Sequence, residues 1–136
     1  MASIRLHRSA LADLESIWES DPESAAAIEA LLQEAKANKA ILDSFTVHKF
    51  GADRVEPYRV SRWVEQQNKG RNLWAIKIWE LEDRWPKYRI VYAFHPQTHT
   101  HYVLGVFTRD FDYDERDERT QRILGVYERL QIPEYK

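Results

Sequence analysis

Apolar positions in the first third of the chain recur at helical spacing. Leu11, Leu14, Ile17 and Trp18 form one stripe, and Ala27, Ile28, Leu31, Leu32 and Ala35 form a second. Ahead of the first stripe, residues 3–7 read as a short strand, and Ser9 reads as the N-cap that accepts an early helical N–H. Ser20, Asp21 and Pro22 separate the stripes. Asp21 suits a cap, and Pro22 suits the first helical position, where its missing N–H loses nothing. The spacing predicts a second helix reaching about Leu42 and folding back on the first as a helical hairpin.

After Asn72 the period changes. Residues 74–81, rich in Trp and Ile, predict a strand, and residues 82–86 a turn. Residues 87–94 alternate: Tyr88, Ile90, Tyr92 and Phe94 point one way, Lys87, Arg89, Val91 and Ala93 the other. A loop at 95–100 leads to a third strand at 101–108, and such short connections imply an antiparallel meander. Ile123, Leu124, Tyr127 and Leu130 then predict a C-terminal helix. Between Phe45 and Asn72, Gly51, Pro57 and the polar run 66–72 break any long element, so an irregular or inserted segment is expected there, within which residues 55–64 read as a strand or a short helix. The expected fold is α+β, a single domain over residues 1–136. Its antiparallel sheet combines the N-terminal strand with the meander, is packed by the helical hairpin and is followed by the C-terminal helix. Lys87 and Arg89 stand on the face left to solvent.

Composition supports a real core: 43% of the 136 residues are apolar and 12% aromatic. The absence of cysteine excludes disulfides, thiolate zinc sites and a cysteine nucleophile, and fits a reducing compartment. The first eight residues lack the apolar region of a signal peptide, and no apolar run approaches the ~20 residues of a spanning helix. A cytoplasmic protein with no membrane association is expected. The net charge of −2 hides an uneven distribution. Residues 46–109 hold eleven Lys or Arg against six Asp or Glu, a balance of +5, while the remainder holds nine against sixteen, a balance of −7. A basic middle between acidic ends permits a polyanion-binding face; acidic residues on solvated helix faces account for the same numbers.

Two local motifs carry a resemblance. The strand Tyr88, Arg89, Ile90, Val91, Tyr92 resembles the "YRIxY" strand of the RelE/ParE superfamily, and Arg109 followed four residues later by Tyr113 resembles the end of that family's next strand. The N-terminal strand running through Ser9 and Ala10 into a helical hairpin is also similar, so the resemblance spans roughly residues 3–43 and 74–130. It implies a toxin of a type II toxin–antitoxin system, RelE/HigB-like, held by a cognate antitoxin protein in a hetero-oligomer. Many members cleave mRNA on the ribosome; others inhibit DNA gyrase with the same fold, and a non-toxic interaction module is a third outcome, because fold does not determine activity.

Metal-free RNA cleavage needs a group to take the 2′-OH proton, cations for the charge that develops on phosphorus, and a proton donor for the leaving oxygen. The planar fork of arginine suits phosphate. The catalytic candidates are Arg89, Arg109 and, as the resemblance implies, Tyr113. Lys77, Arg84 and Lys87 are RNA-binding candidates, and no cofactor or metal is expected. His95, His99 and His101 lack a carboxylate at metal-ligand spacing, and the acidic stretch 110–118 lacks the Gly and terminal Glu of a calcium loop. The acidic total and the long segment 45–72 both depart from the family pattern.

Overall fold

The computed structural model describes residues 3–83, 87–108 and 114–134. In chain order its elements are β1 (Ser3–Leu6), α1 (Arg8–Ser20), α2 (Pro22–Ala37), α3 (Lys39–Ser44), β2 (Tyr58–Arg62), α4 (Val64–Gln67), β3 (Leu73–Ile78), α5 (Trp79–Glu82), β4 (Tyr88–His95), β5 (Thr100–Thr108) and α6 (Glu118–Leu130). The class is α+β, as expected, but the sheet has five strands and is mixed. Its order is β1-β5-β4-β3-β2, with β1 parallel to β5 and every other pairing antiparallel.

The extra strand lies in the largely irregular segment, within the 55–64 stretch that reads as either a strand or a short helix. Tyr58, Arg59, Val60, Ser61 and Arg62 alternate buried and less buried positions and pair with β3. Their period of two is visible in the sequence but short, and Gly51 and Pro57 sit close before it. Gly51 has φ +79°, and a Cβ there would run into the carbonyl of Tyr58. That turn folds the preceding loop onto the outer edge of β2. Lys49 N–H donates to Val60 O, Val60 N–H to Phe50 O, and Arg62 N–H to His48 Nδ1 at 3.0 Å.

Asp21 joins α1 to α2, and its carboxylate accepts from Ser24 Oγ at 2.6 Å and from Ser24 N–H. Two expected boundaries differ. The N-cap of α1 is His7, whose Nδ1 accepts from Ser9 N–H; the Ser9 hydroxyl donates instead to Leu104 O at 2.7 Å, tying α1 to the sheet. The second helix stops at Ala37 because Asn38 turns extended and caps a separate helix through Ala40 N–H. Similarly, β3 ends at Ile78 rather than Leu81, and a short helix follows.

The sheet is covered on both faces. Leu14, Ile17, Ile28, Leu31 and Leu32 of the hairpin pack on Val60, Ile76, Ile90, Tyr92 and Val103, with Phe45 beside them. This is the face that the Tyr88, Ile90, Tyr92, Phe94 alternation predicts. On the other face, Ile123, Val126 and Tyr127 of α6 bury Leu73, Val91, Ala93, Leu104 and Phe107. The expectation of an open face for Arg89 is corrected accordingly: α6 covers the part of that face around Leu73 and Ala93. Its amphipathic stripe must bury about 1.5–3 kcal/mol per large side chain somewhere, and this apolar half-face is the partner available. Leu104 is an extra residue in β5, since Val91 pairs with Gly105 and Tyr92 with Val103. Among the described residues no helix is long and apolar enough to cross a membrane.

Candidate nucleic-acid interface

Strand alternation and register build the site. Arg59, Lys77 and Arg89 each lie between residues that face the helical hairpin, so all three turn to the opposite face. Arg59 pairs with Lys77 across β2 and β3, and the Ile76–Ile90 pairing brings Lys77 beside Arg89 of β4. The result is a row of cations over three adjacent strands, about 10 Å from end to end at the usual strand spacing. Because β3 and β4 are antiparallel, this row sits at the end of the face away from the Leu73 and Ala93 that α6 covers.

Three further residues, Trp79, Arg54 and Glu82, adjoin the row. Trp79 follows β3, and its ring lies under two cations, Arg54 at 4.2 Å and Lys77 Nζ at 4.6 Å from the centroid. Its indole N–H donates to Gly51 O at 2.9 Å, so the turn that anchors β2 also positions the ring. Glu82 supplies the counter-charge: Arg89 Nη1 donates to Glu82 Oε2 at 2.9 Å and to Tyr88 O at 3.0 Å. The side chains of Arg89 and Glu82 are only 19% and 10% exposed, so the pair is largely shielded from water.

Electrostatics follow from this crowding. Burial lowers the pKa of Lys77, and the charges of Arg89, Arg59 and Arg54 lower it further, with Glu82 opposing them. Arg59 Nε is buried with no hydrogen-bond partner among the described residues. Arg54, Arg59 and Arg89 therefore gather around Lys77, with the carboxylate of Glu82 bonded to Arg89. Such a cluster can hold an anion with planar and point-charge donors, and its lysine can release a proton more readily than a solvated one.

The structure brings together Lys77 and Arg89 of the residues predicted from sequence. Lys87 precedes β4 and is half-buried. Arg84, Arg109 and Tyr113 lie outside the described residues, as does most of the turn expected at 82–86. Sequence reasoning missed Arg59, Arg54, Trp79 and Glu82. Arg59 was legible from the alternation in 58–62; Glu82 and Arg54 reach the site only through register and a loop turn. Other basic residues of the middle segment serve the fold. Lys69 pairs with Glu115, and Arg71 with Gln66 and Glu128, which ties the 66–72 run to α6. The histidines are dispersed in role: His101 is buried against Phe45, Tyr92 and Phe94, while His99 is exposed at φ +53°. Among the described residues no group of three His, Cys, Asp or Glu side chains is placed to hold a metal ion.

No protein-family model matches this chain, and no curated protein or solved structure matches it.

Proposed function

We propose that the protein is the toxin of a toxin–antitoxin pair and acts as a ribosome-associated mRNA endonuclease. The observation that carries this reading is the lateral row Arg59, Lys77, Arg89 on the face of the sheet opposite the helices α1 and α2. Support also comes from the order of elements: a strand and helical hairpin, then the successive antiparallel strands β3, β4 and β5, then a helix, as in the RelE/ParE superfamily that the motifs resemble.

In this reading the row holds the RNA backbone across the scissile phosphate. The 2′ oxygen attacks phosphorus, the bond from phosphorus to the 5′ oxygen breaks, and the products are a 2′,3′-cyclic phosphate and a free 5′-OH. Arg89 and Arg59 stabilise the charge on the phosphoryl oxygens. Lys77, with its lowered pKa, exchanges a proton with the reacting oxygens. Arg109 and Tyr113 take the phosphate and base-stacking or proton-transfer roles that the resemblance implies. The cognate antitoxin covers the basic face, matching charge with charge.

A second reading has its own observation. Arg89 already has a largely buried carboxylate partner, and a preformed pair favours a protein that binds without cleaving, such as a gyrase inhibitor of the same fold. Induced expression with mapping of transcript 5′ ends separates the two. New 5′-OH ends that disappear in Lys77→Ala and Arg89→Ala support the nuclease. Growth arrest with DNA-damage signalling and unchanged transcript ends supports the inhibitor, and harmless expression rejects both.

A further inference from the structure

The sheet protects its edges unevenly. The outer side of β2 is closed by the 48–50 segment, whose backbone and His48 ring engage Val60 and Arg62. The part of β5 beyond β1 is closed by α1, where Ser9 Oγ donates to Leu104 O and Asp13 accepts from Val106 N–H at 2.9 Å. Among the described residues the outer side of β1 has no such cover. Ser3 N–H donates to His99 O and His7 N–H to Val103 O, so in this parallel ladder Ile4 and Leu6 turn their N–H and C=O groups outward. Among the described residues nothing outside the β1–β5 ladder bonds to them.

Beside this edge lies a groove of about 590 Å³ between β1, α1 and α2. Leu14 and Leu32 form its floor, and Leu11 and Trp18 stand on its wall at 47% and 42% exposure. The Trp18 indole N–H donates to Glu29 and so fixes the ring at the groove. Side chains of Ile4 and Leu6 face the groove side, whereas Arg5 points to the opposite face, is exposed and has no ion-pair partner among the described residues.

We propose that β1 is the docking edge for an extended segment of a partner protein, carrying an acidic residue opposite Arg5 with an apolar residue on either side. Pairing with Ile4 and Leu6 supplies the backbone bonds. The strand period then sends both flanking apolar side chains into the groove and leaves the acidic one beside Arg5. A second copy of this chain fits worse. The two-fold antiparallel register that satisfies both Ile4 and Leu6 sets Arg5 directly against Arg5 of the other copy, which opposes pairing. The surface lies at the opposite edge of the sheet from the β2 end of the basic row, so its occupancy is independent of the nuclease reading.

The test uses the full chain labelled for amide NMR and a synthetic pentapeptide with central glutamate, flanking valines and terminal threonines. A lysine-centred analogue and an analogue N-methylated at both valines complete the set. The expected result is saturable shifting of the Ile4 and Leu6 amides by the glutamate peptide, about fivefold weaker binding of the lysine peptide, and none for the N-methylated one. In Arg5→Glu, a change at an exposed position, the preference between the two charged peptides inverts. Absence of shifts at millimolar peptide overturns the proposal, as do shifts elsewhere only or equal affinity for both charged peptides. Protection of Ile4 and Leu6 that grows with protein concentration alone overturns it in favour of a second copy.

Discussion

Arg59 and Lys77 stand directly opposite each other on antiparallel strands, on the same face, with Arg89 the next cation along. Like charges in that position oppose strand pairing by roughly 0.2–1 kcal/mol. The fold offsets part of this with the Trp79 ring under Lys77 and with Glu82 beside Arg89. A cluster assembled against its own repulsion is understandable if an anion completes it.

Lys77→Met separates stability from binding. Removing one charge relieves repulsion and keeps most of the side-chain volume, so the thermal midpoint stays level or rises. RNA affinity falls about tenfold, the equivalent of one charge-assisted contact, and the salt slope of binding drops by about 1. Filter binding over a salt series and a melting curve on the same variant check both. In the wild type, RNA affinity falls as pH rises through the lowered pKa of Lys77, below the range where an ordinary lysine discharges. Stability moves oppositely in that window, because the unfolded chain still holds the proton that Lys77 has released.

Glu82→Gln probes the same face from the other sign. The Arg89–Glu82 pair is mostly shielded, and removing its carboxylate leaves Arg89 among Lys77 and Arg59 uncompensated. The variant is destabilised by about 2–4 kcal/mol, measured by urea unfolding. It also binds RNA more tightly at low salt, since phosphate no longer competes with Glu82. A stability loss without tighter binding identifies the pair as purely structural.

Much of this architecture was legible in the sequence, and the particular failures have physical causes. The Tyr88, Ile90, Tyr92, Phe94 alternation named the helix-facing side of β4 because period two leaves one solution. Asp21 and Pro22 marked the start of α2 because cap and N1 chemistry are local. His7 and Asn38 escaped notice because the first caps through a ring nitrogen and the second interrupts a continuous apolar stripe. The cation row was half legible. Lys77 and Arg89 lie in clear strands, but Arg59 joins them only through the register of β2, a tertiary fact. The cover that α6 gives to the Arg89 face likewise depends on which apolar half-face it finds.

His101 makes stability depend on acid. Its ring is 2% exposed, lies 4.6 Å from Phe94, and presents Nε2 to no hydrogen-bond partner among the described residues. Burial lowers its pKa, with His99 adding to the effect and Ser3 O and Asp43 opposing it. The unfolded chain therefore takes up a proton near pH 6.5 that the folded ring refuses, and stability falls as pH drops through that value. One such group contributes a slope of up to about 1.4 kcal/mol per pH unit. Urea midpoints at pH 7.5 and 5.5 should diverge in the wild type and converge in His101→Phe. A residual slope is expected from His7 and His48, whose pKa values burial also lowers.

Gly51 joins fold and site in one residue. Its left-handed backbone suits glycine, its missing Cβ leaves room for the Tyr58 carbonyl, and its own carbonyl accepts the Trp79 indole N–H. Gly51→Ala adds backbone strain and a clash with main chain, together roughly 2–4 kcal/mol. The clash displaces the loop from the β2 edge and loosens Trp79, so Arg54 and Lys77 lose their shared ring. The expected outcome is a lower melting temperature together with reduced RNA binding and a red-shifted tryptophan emission. Trp79→Phe keeps the turn and loses the indole bond alone. It therefore retains most of the stability while showing part of the binding defect, and equal losses in both variants would mean that the ring supports only the fold.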